Sequence, residues 1–180
     1  MATTQLVISQ TKRWINNVVV GCNFCPFAAR EIKQNAVHYE VENSIETGKC
    51  LSTFLNECRR LDIEKNMATT LVIFPNAFKR FDNFLDAVAL AEELILREGY
   101  EGIYQVASFH PLYCFANALV DDAANYTNRS VYPMLHLLRE DQIEEALLHY
   151  SSPEDIPENN IRFAREKGLV YMKMLRDACL

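Results

Sequence analysis

Thr69-Thr70-Leu71-Val72-Ile73-Phe74 is apolar and β-branched, does not alternate, and is stopped by Pro75-Asn76. A strand with one wet face alternates polar and apolar residues, whereas a strand covered on both faces has no reason to. The run is therefore expected to be the central strand of a sheet with helices packed on it. On its N-terminal side, Asn43 or Ser44 can cap a helix that places Leu51, Phe54, Leu55, Cys58 and Leu61 on one face, with Gly48 weakening its first turns. Residues 36–41 before that helix have strand character. On the C-terminal side, Asp82 can cap a helix carrying Phe84, Leu85, Val88, Ala91 and Ile95, which stops at Gly99 after Arg97. A strand over 103–109 follows. Two successive β-α-β units predict an α/β (or α+β) fold, with a single-layer small sheet of three to four strands and helices packed against it. Residues 113–119 offer a fourth strand.

The remaining segments read as helical. Thr3 and Thr4 can cap a helix with Leu6-Val7-Ile8, Trp14-Ile15 and Val18-Val19 at helical spacing, ending at Gly21. A short helix is expected from Cys25-Pro26 to about Lys33, with Cys25 at its N-cap and Asn35 as its stop. Pro133 is expected to open a helix to about Glu140. Asp141-Gln142-Ile143-Glu144 resembles a capping box for another helix to Tyr150. A last helix, roughly 158–178, carries Ile161, Ala164, Gly168, Met172 and Leu175 and should close the core as a helical C-terminal segment.

Composition narrows the class. The chain has 180 residues, 49% of them hydrophobic, which suits one domain over 1–180. A net charge of -6, a pI near 5.3 and the absence of any Lys/Arg-rich block argue against a nucleic-acid partner. Six cysteines in a chain of this length, with no charged and then apolar leader pattern at its start, point to a reducing cytosol and a cytoplasmic location. No apolar run approaches the roughly 20 residues a membrane span needs, so no membrane partner is expected.

Phe109-His110-Pro111, Asp121-Asp122-Ala-Ala-Asn125-Tyr126-Thr127-Asn128-Arg129-Ser130 and Tyr132-Pro133-Met-Leu-His136-Leu-Leu-Arg139-Glu140 concentrate histidines, arginines, carboxylates and carboxamides where no apolar period protects them. Asn23-Phe-Cys25-Pro26-Phe27-Ala28, together with Tyr104-Gln-Val-Ala-Ser-Phe109-His110-Pro111 and the run from Asp121 to Ser130, resembles the bacterial domain-of-unknown-function family fourteen-fifteen over nearly the whole chain. The resemblance implies a cytosolic bacterial protein and assigns no catalytic roles. Cys22, where members typically carry an aliphatic residue, and Val131, where they carry proline, depart from the pattern.

Read as chemistry, Arg129, Asn128, Asn125 and Ser130 before a helix N-terminus at Pro133 could converge on an anionic group, with Arg139 assisting. His110 follows a strand, at the end of the sheet where ligands usually bind, and His136 lies nearly on the same expected helix face as Arg139. Either histidine could act as general acid or base, oriented by Asp121 or Asp122. Cys25 at a helix N-terminus would be a lowered-pKa nucleophile, or a redox thiol with Cys22. Each residue also has a plainer reading: histidine bonded to a loop carbonyl, Asp121 and Asp122 paired with Arg129, asparagines closing turns, cysteine as small apolar filling.

His110, His136 and an aspartate could formally hold a divalent metal, but without short-range ligand spacing no metal is assigned. Dinucleotide, P-loop, α/β-hydrolase and zincin motifs are absent, so those readings lack their usual support and the cofactor stays unknown. His38 and His149 read as ordinary surface or capping residues. The expectation is an enzyme acting on a small anionic ligand, phosphate- or carboxylate-bearing. The alternatives are a non-catalytic metabolite- or protein-binding module, and a thiol redox protein.

Overall fold

In the computed structural model, which describes residues 2–148 and 152–180, every residue of β2 (Thr69–Ile73) is buried. It runs parallel to β1 (Val37–Val41) and antiparallel to β4 (Met134–Arg139), which in turn pairs antiparallel with β3 (Tyr104–Phe109). The order is β1-β2-β4-β3. The helices are α1 (Thr4–Trp14), α2 (Ala28–Lys33), α3 (Thr47–Ile63), α4 (Phe81–Arg97), α5 (Glu140–Leu147), α6 (Ile156–Lys167) and α7 (Leu169–Asp177). The expected mixed fold, with its two β-α-β units and helical C-terminal segment, is present. None of the described helices is long and apolar enough to cross a membrane.

Strand periodicity sorts the core into two halves. Tyr39, Leu71, Ile73, Met134 and Phe109 lie on one face, against Trp14, Val18, Ala164 and Met172. Val72, Phe74, Leu135 and Leu137 lie on the other, against Phe54, Cys58, Phe84 and Ala91 of α3 and α4. That double cover is why Thr69–Ile73 does not alternate. Thr3 caps α1 as expected, and the helix runs on through a π-helical stretch, Ile15–Val20, to Gly21. Asn35 takes a left-handed φ of 54° and ends α2, and Gly99 does the same at 79° after α4.

Five expectations are corrected. Met134–Arg139 is not a helix but the inner strand β4, whose insertion separates β2 from β3. Proline suits the start of either element. Here the Pro133 carbonyl accepts from the Phe74 N–H at 2.9 Å, so the chain is already in the ladder. Residues 113–119 form a loop rather than a strand. The C-terminal helix is split between α6 and α7 at Gly168, whose φ of 82° leaves the helical region, although Ala164 and Met172 are buried as the spacing requires. Finally, α4 is capped at Arg80, with Asp82 in its first turn, and α5 at Arg139 rather than Asp141. His149 and the expected helix end at Tyr150 lie outside the described residues.

Candidate functional site

The polar run folds as one braced loop. Beyond β3, the His110 N–H donates to the Asn128 carbonyl at 3.2 Å, and the chain loops out over residues 111–121 before returning through a 3-10 turn, Ala123–Thr127. Asp122 caps that turn by accepting from the Ala124 N–H at 2.9 Å, and its carboxylate takes a forked pair from Arg165 of α6 at 2.7 and 3.2 Å. That guanidinium holds Asp122 below the usual carboxylate range. Asp122 therefore pairs with Arg165 rather than Arg129, while Asp121 is exposed.

Arg129 and Asn125 clamp the loop from inside. The Arg129 guanidinium donates to the Tyr113 carbonyl at 2.9 Å and to the Val120 carbonyl at 2.7 Å, tying the two limbs together, and lies over the Tyr126 ring at 4.8 Å. Asn125 accepts from the Phe115 N–H at 3.0 Å and donates to the Leu119 carbonyl at 2.8 Å. Asn128 donates to Ser108 and accepts from Thr127, and Ser130 donates to the Tyr132 carbonyl. Asn125 and Ser130 are fully buried, and Arg129 is only 8% exposed. Loop carbonyls leaving regular structure must find donors, and these side chains supply them.

His110 is fixed in the same way. Its Nε2–H donates to the Phe78 carbonyl at 2.7 Å and its Nδ1 accepts from the Leu112 N–H at 3.0 Å, which specifies one neutral tautomer. Phe81 and Phe84 flank the ring at 5.2 and 5.1 Å, and burial pushes its pKa below the ordinary value. This is the loop-carbonyl arrangement weighed against a catalytic role, and it holds Phe78 at a left-handed φ of 54°.

The other expected residues are dispersed. His136 is on the opposite sheet face, bonded to the Thr69 hydroxyl at 2.6 Å, and burial pushes its pKa down to about 4. Being in a strand, His136 and Arg139 point to opposite faces, not to one helix face. Arg139 sits at the far end of the sheet, where it donates to the Met67 carbonyl at 3.1 Å and to the Leu61 carbonyl in the last turn of α3. His110, His136 and the aspartates do not assemble into a metal-binding group. Cys25 precedes α2, which is capped by Phe27, so the thiol is not at the N-cap. Burial pushes its pKa up, only partly offset by the Phe27 and Ala28 backbone, which corrects the lowered pKa expected from the sequence. Cys22 is raised for the same reason, and both are free thiols.

A family model described as "Protein of unknown function (DUF1415)" matches residues 6–174. The chain belongs to that family. No curated protein and no solved structure matches it. The family match takes in the whole braced loop together with the Cys25 segment. These two meet on α6: Asn160 donates to the Phe24 carbonyl at 2.7 Å, Phe163 packs edge-on to Phe24 at 5.8 Å, and Arg165 holds Asp122.

Two features escaped the sequence reading. The loop turns Leu112, Leu119 and Val120 outward at 58%, 75% and 74% exposure. Residues 113–119 read as a possible strand, and nothing in the local pattern places Leu112, Leu119 and Val120 in solvent. The second is Glu57, a carboxylate 2% exposed on the apolar face of α3 beside His38 and Glu40 of β1. Its signal was available, because Phe54, Glu57, Cys58 and Leu61 share one helical stripe.

Proposed function

We propose that the protein is a binding module that recognises a partner protein through the loop at residues 111–121, with the polar run as its brace. The Arg129 guanidinium bridging the Tyr113 and Val120 carbonyls carries the reading. It ties together the two limbs of a loop on which Leu112, Leu119 and Val120 are exposed and Tyr113 and Phe115 half-buried. Burying three such side chains against a partner contributes roughly 3–6 kcal/mol before ordering costs, and a loop ordered in advance reduces those costs. An anion at Arg129 would have to share a guanidinium whose Nε and Nη2 already serve two loop carbonyls, and turning it away from them would cost about 1–3 kcal/mol for each buried group left unsatisfied. The bracing role is the better fit to the geometry.

The test compares affinity capture by the wild-type chain, by a Leu119→Ser/Val120→Ser double variant and by Ile63→Ser. Ile63 is 80% exposed at the end of α3 and serves as the apolar control. Far-UV circular dichroism should be the same for all three. The reading expects one defined partner, recovered with wild type and with Ile63→Ser and lost with the double variant. An identical set of captured proteins from all three chains would refute it.

A further inference from the structure

We propose that His38, Glu40 and Glu57 form a binding site for a divalent transition-metal ion, manganese, ferrous iron or zinc, independent of the loop. Strand alternation puts His38 and Glu40 on the same face of β1, the face that α3 covers, and α3 supplies Glu57. His38 Nε2 lies 3.4 Å from Glu40 Oε2 and 3.6 Å from Glu57 Oε2, and all three donor atoms fall within 4.8 Å of one another. Neighbouring donors around an ion bound at about 2.1 Å stand roughly 3.0–3.5 Å apart, so small side-chain rotations close the set.

The surroundings favour a cation on two counts. Glu57 has only 3% of its side chain exposed, and Arg60 fixes both of its oxygens at 2.9 and 3.1 Å while being itself drawn to Glu64 at 3.3 Å. Such an outer hydrogen bond orients a ligating carboxylate. Arg60 is one positive charge among Glu40, Glu57 and Glu64, so an excess of negative charge remains.

The second count is independent of charge. Thr70, paired with His38 across β1 and β2 and on the same sheet face, is fully buried, and its hydroxyl has no hydrogen-bond partner among the described residues. Water on a bound ion would give that hydroxyl a partner. One imidazole and two carboxylates suit manganese, iron or zinc better than calcium or magnesium. The solvent side of the set, with His38 24% and Glu40 33% exposed, leaves coordination positions for water.

Manganese alone is the probe, because six cysteines would compete for zinc. The full chain, stripped with chelator, is titrated with Mn2+ and free ion is followed by electron paramagnetic resonance. The proposal expects saturation at a single equivalent, with binding weakened at least about tenfold in Glu57→Gln and in His38→Ala. Glu40→Gln, at a partly exposed position where folding is not at stake, should weaken it as well, and Leu119→Ser should not. No saturable binding up to millimolar Mn2+, or binding equally tight in His38→Ala and Glu40→Gln, would overturn the assignment.

Discussion

Replacing Arg129 with methionine separates a bracing arginine from a ligand-binding one, because the two roles predict opposite signs. An arginine that waits for an anion is a charge held without its partner, and removing it leaves stability unchanged or raises it. The Arg129 seen here donates to two carbonyls and covers an aromatic ring. Hydrogen bonds from a charged donor contribute about 1.5–3 kcal/mol each, and the cation–π contact about 0.5–2 kcal/mol. Those add to a gross loss of roughly 4–8 kcal/mol. The loop can relieve it by opening towards water, which caps the measured cost at the free energy of local opening. We therefore expect a destabilisation of about 2–4 kcal/mol, or roughly 4–16 °C in Tm for a chain of this size. Urea unfolding is readily followed by Trp14, the only tryptophan, which is 1% exposed and donates through Nε1 to the Arg129 carbonyl at 3.1 Å. Hydrogen exchange supplies the local measurement: the Phe115 amide, bonded to Asn125, should lose protection before the strand amides do. Unchanged stability together with unchanged exchange across residues 111–121 would refute the bracing argument.

Three further outcomes are expected. Gly21→Ala should destabilise by about 1–3 kcal/mol in urea denaturation, because a Cβ there would stand 2.2 Å from the Asn17 carbonyl oxygen at the end of the π-helical stretch. His136 titrates near 4 when folded against 6.5 unfolded, so the unfolded chain binds the extra proton first; stability is full above about pH 7 and falls with decreasing pH, by about 2 kcal/mol at pH 5. Denaturation at pH 7.5 and pH 5 should show that slope. His136→Gln should reduce it, leaving the part that His110 contributes with the same sign. Cys25 should alkylate more slowly at pH 8 than a free thiol, because burial raises its pKa; mass spectrometry showing faster labelling at Cys25 than at unfolded-chain cysteines would contradict this.

Much of the scaffold was legible because burial leaves a period. Thr69–Ile73 reads as a doubly covered strand and is one; α3 and α4 show their buried stripes, apart from Leu85, which is 45% exposed while Ala87 takes the inner position. Met134–Arg139 failed for an identifiable reason. Met-Leu-His-Leu-Leu-Arg has no alternation because both faces are covered, and a short apolar run after proline is as good a helix start as a strand start. That one segment decided whether His136 and Arg139 shared a surface. The candidate site was less legible still, since exposure of Leu119 and Val120 depends on clamps from Asn125 and Arg129 that no local pattern encodes.

The polar run shows why dense polar sequence is weak grounds for catalysis. A loop that leaves a sheet and returns under a helix carries carbonyls no ladder can satisfy, and each one buried without a donor costs about 1–3 kcal/mol. Arginine is suited to that task, because its fork reaches several carbonyls at once and keeps its proton at any physiological pH. Arg129 does this for Tyr113 and Val120, and Arg139 for Met67 and the end of α3, where a cation also meets the negative end of the helix dipole. Arg176 repeats the pattern on the Ser130 and Pro111 carbonyls at 3.3 and 3.5 Å. Polar side chains turned inward to the backbone are scaffold, and what they hold outward is where recognition should be sought. By that reasoning the chemistry-bearing alphabet of residues 109–140 points to the apolar surface at residues 112–120. Glu40 and Glu57, gathered with His38 around a single arginine, lie on a strand and a helix that read, in sequence, as ordinary packing elements.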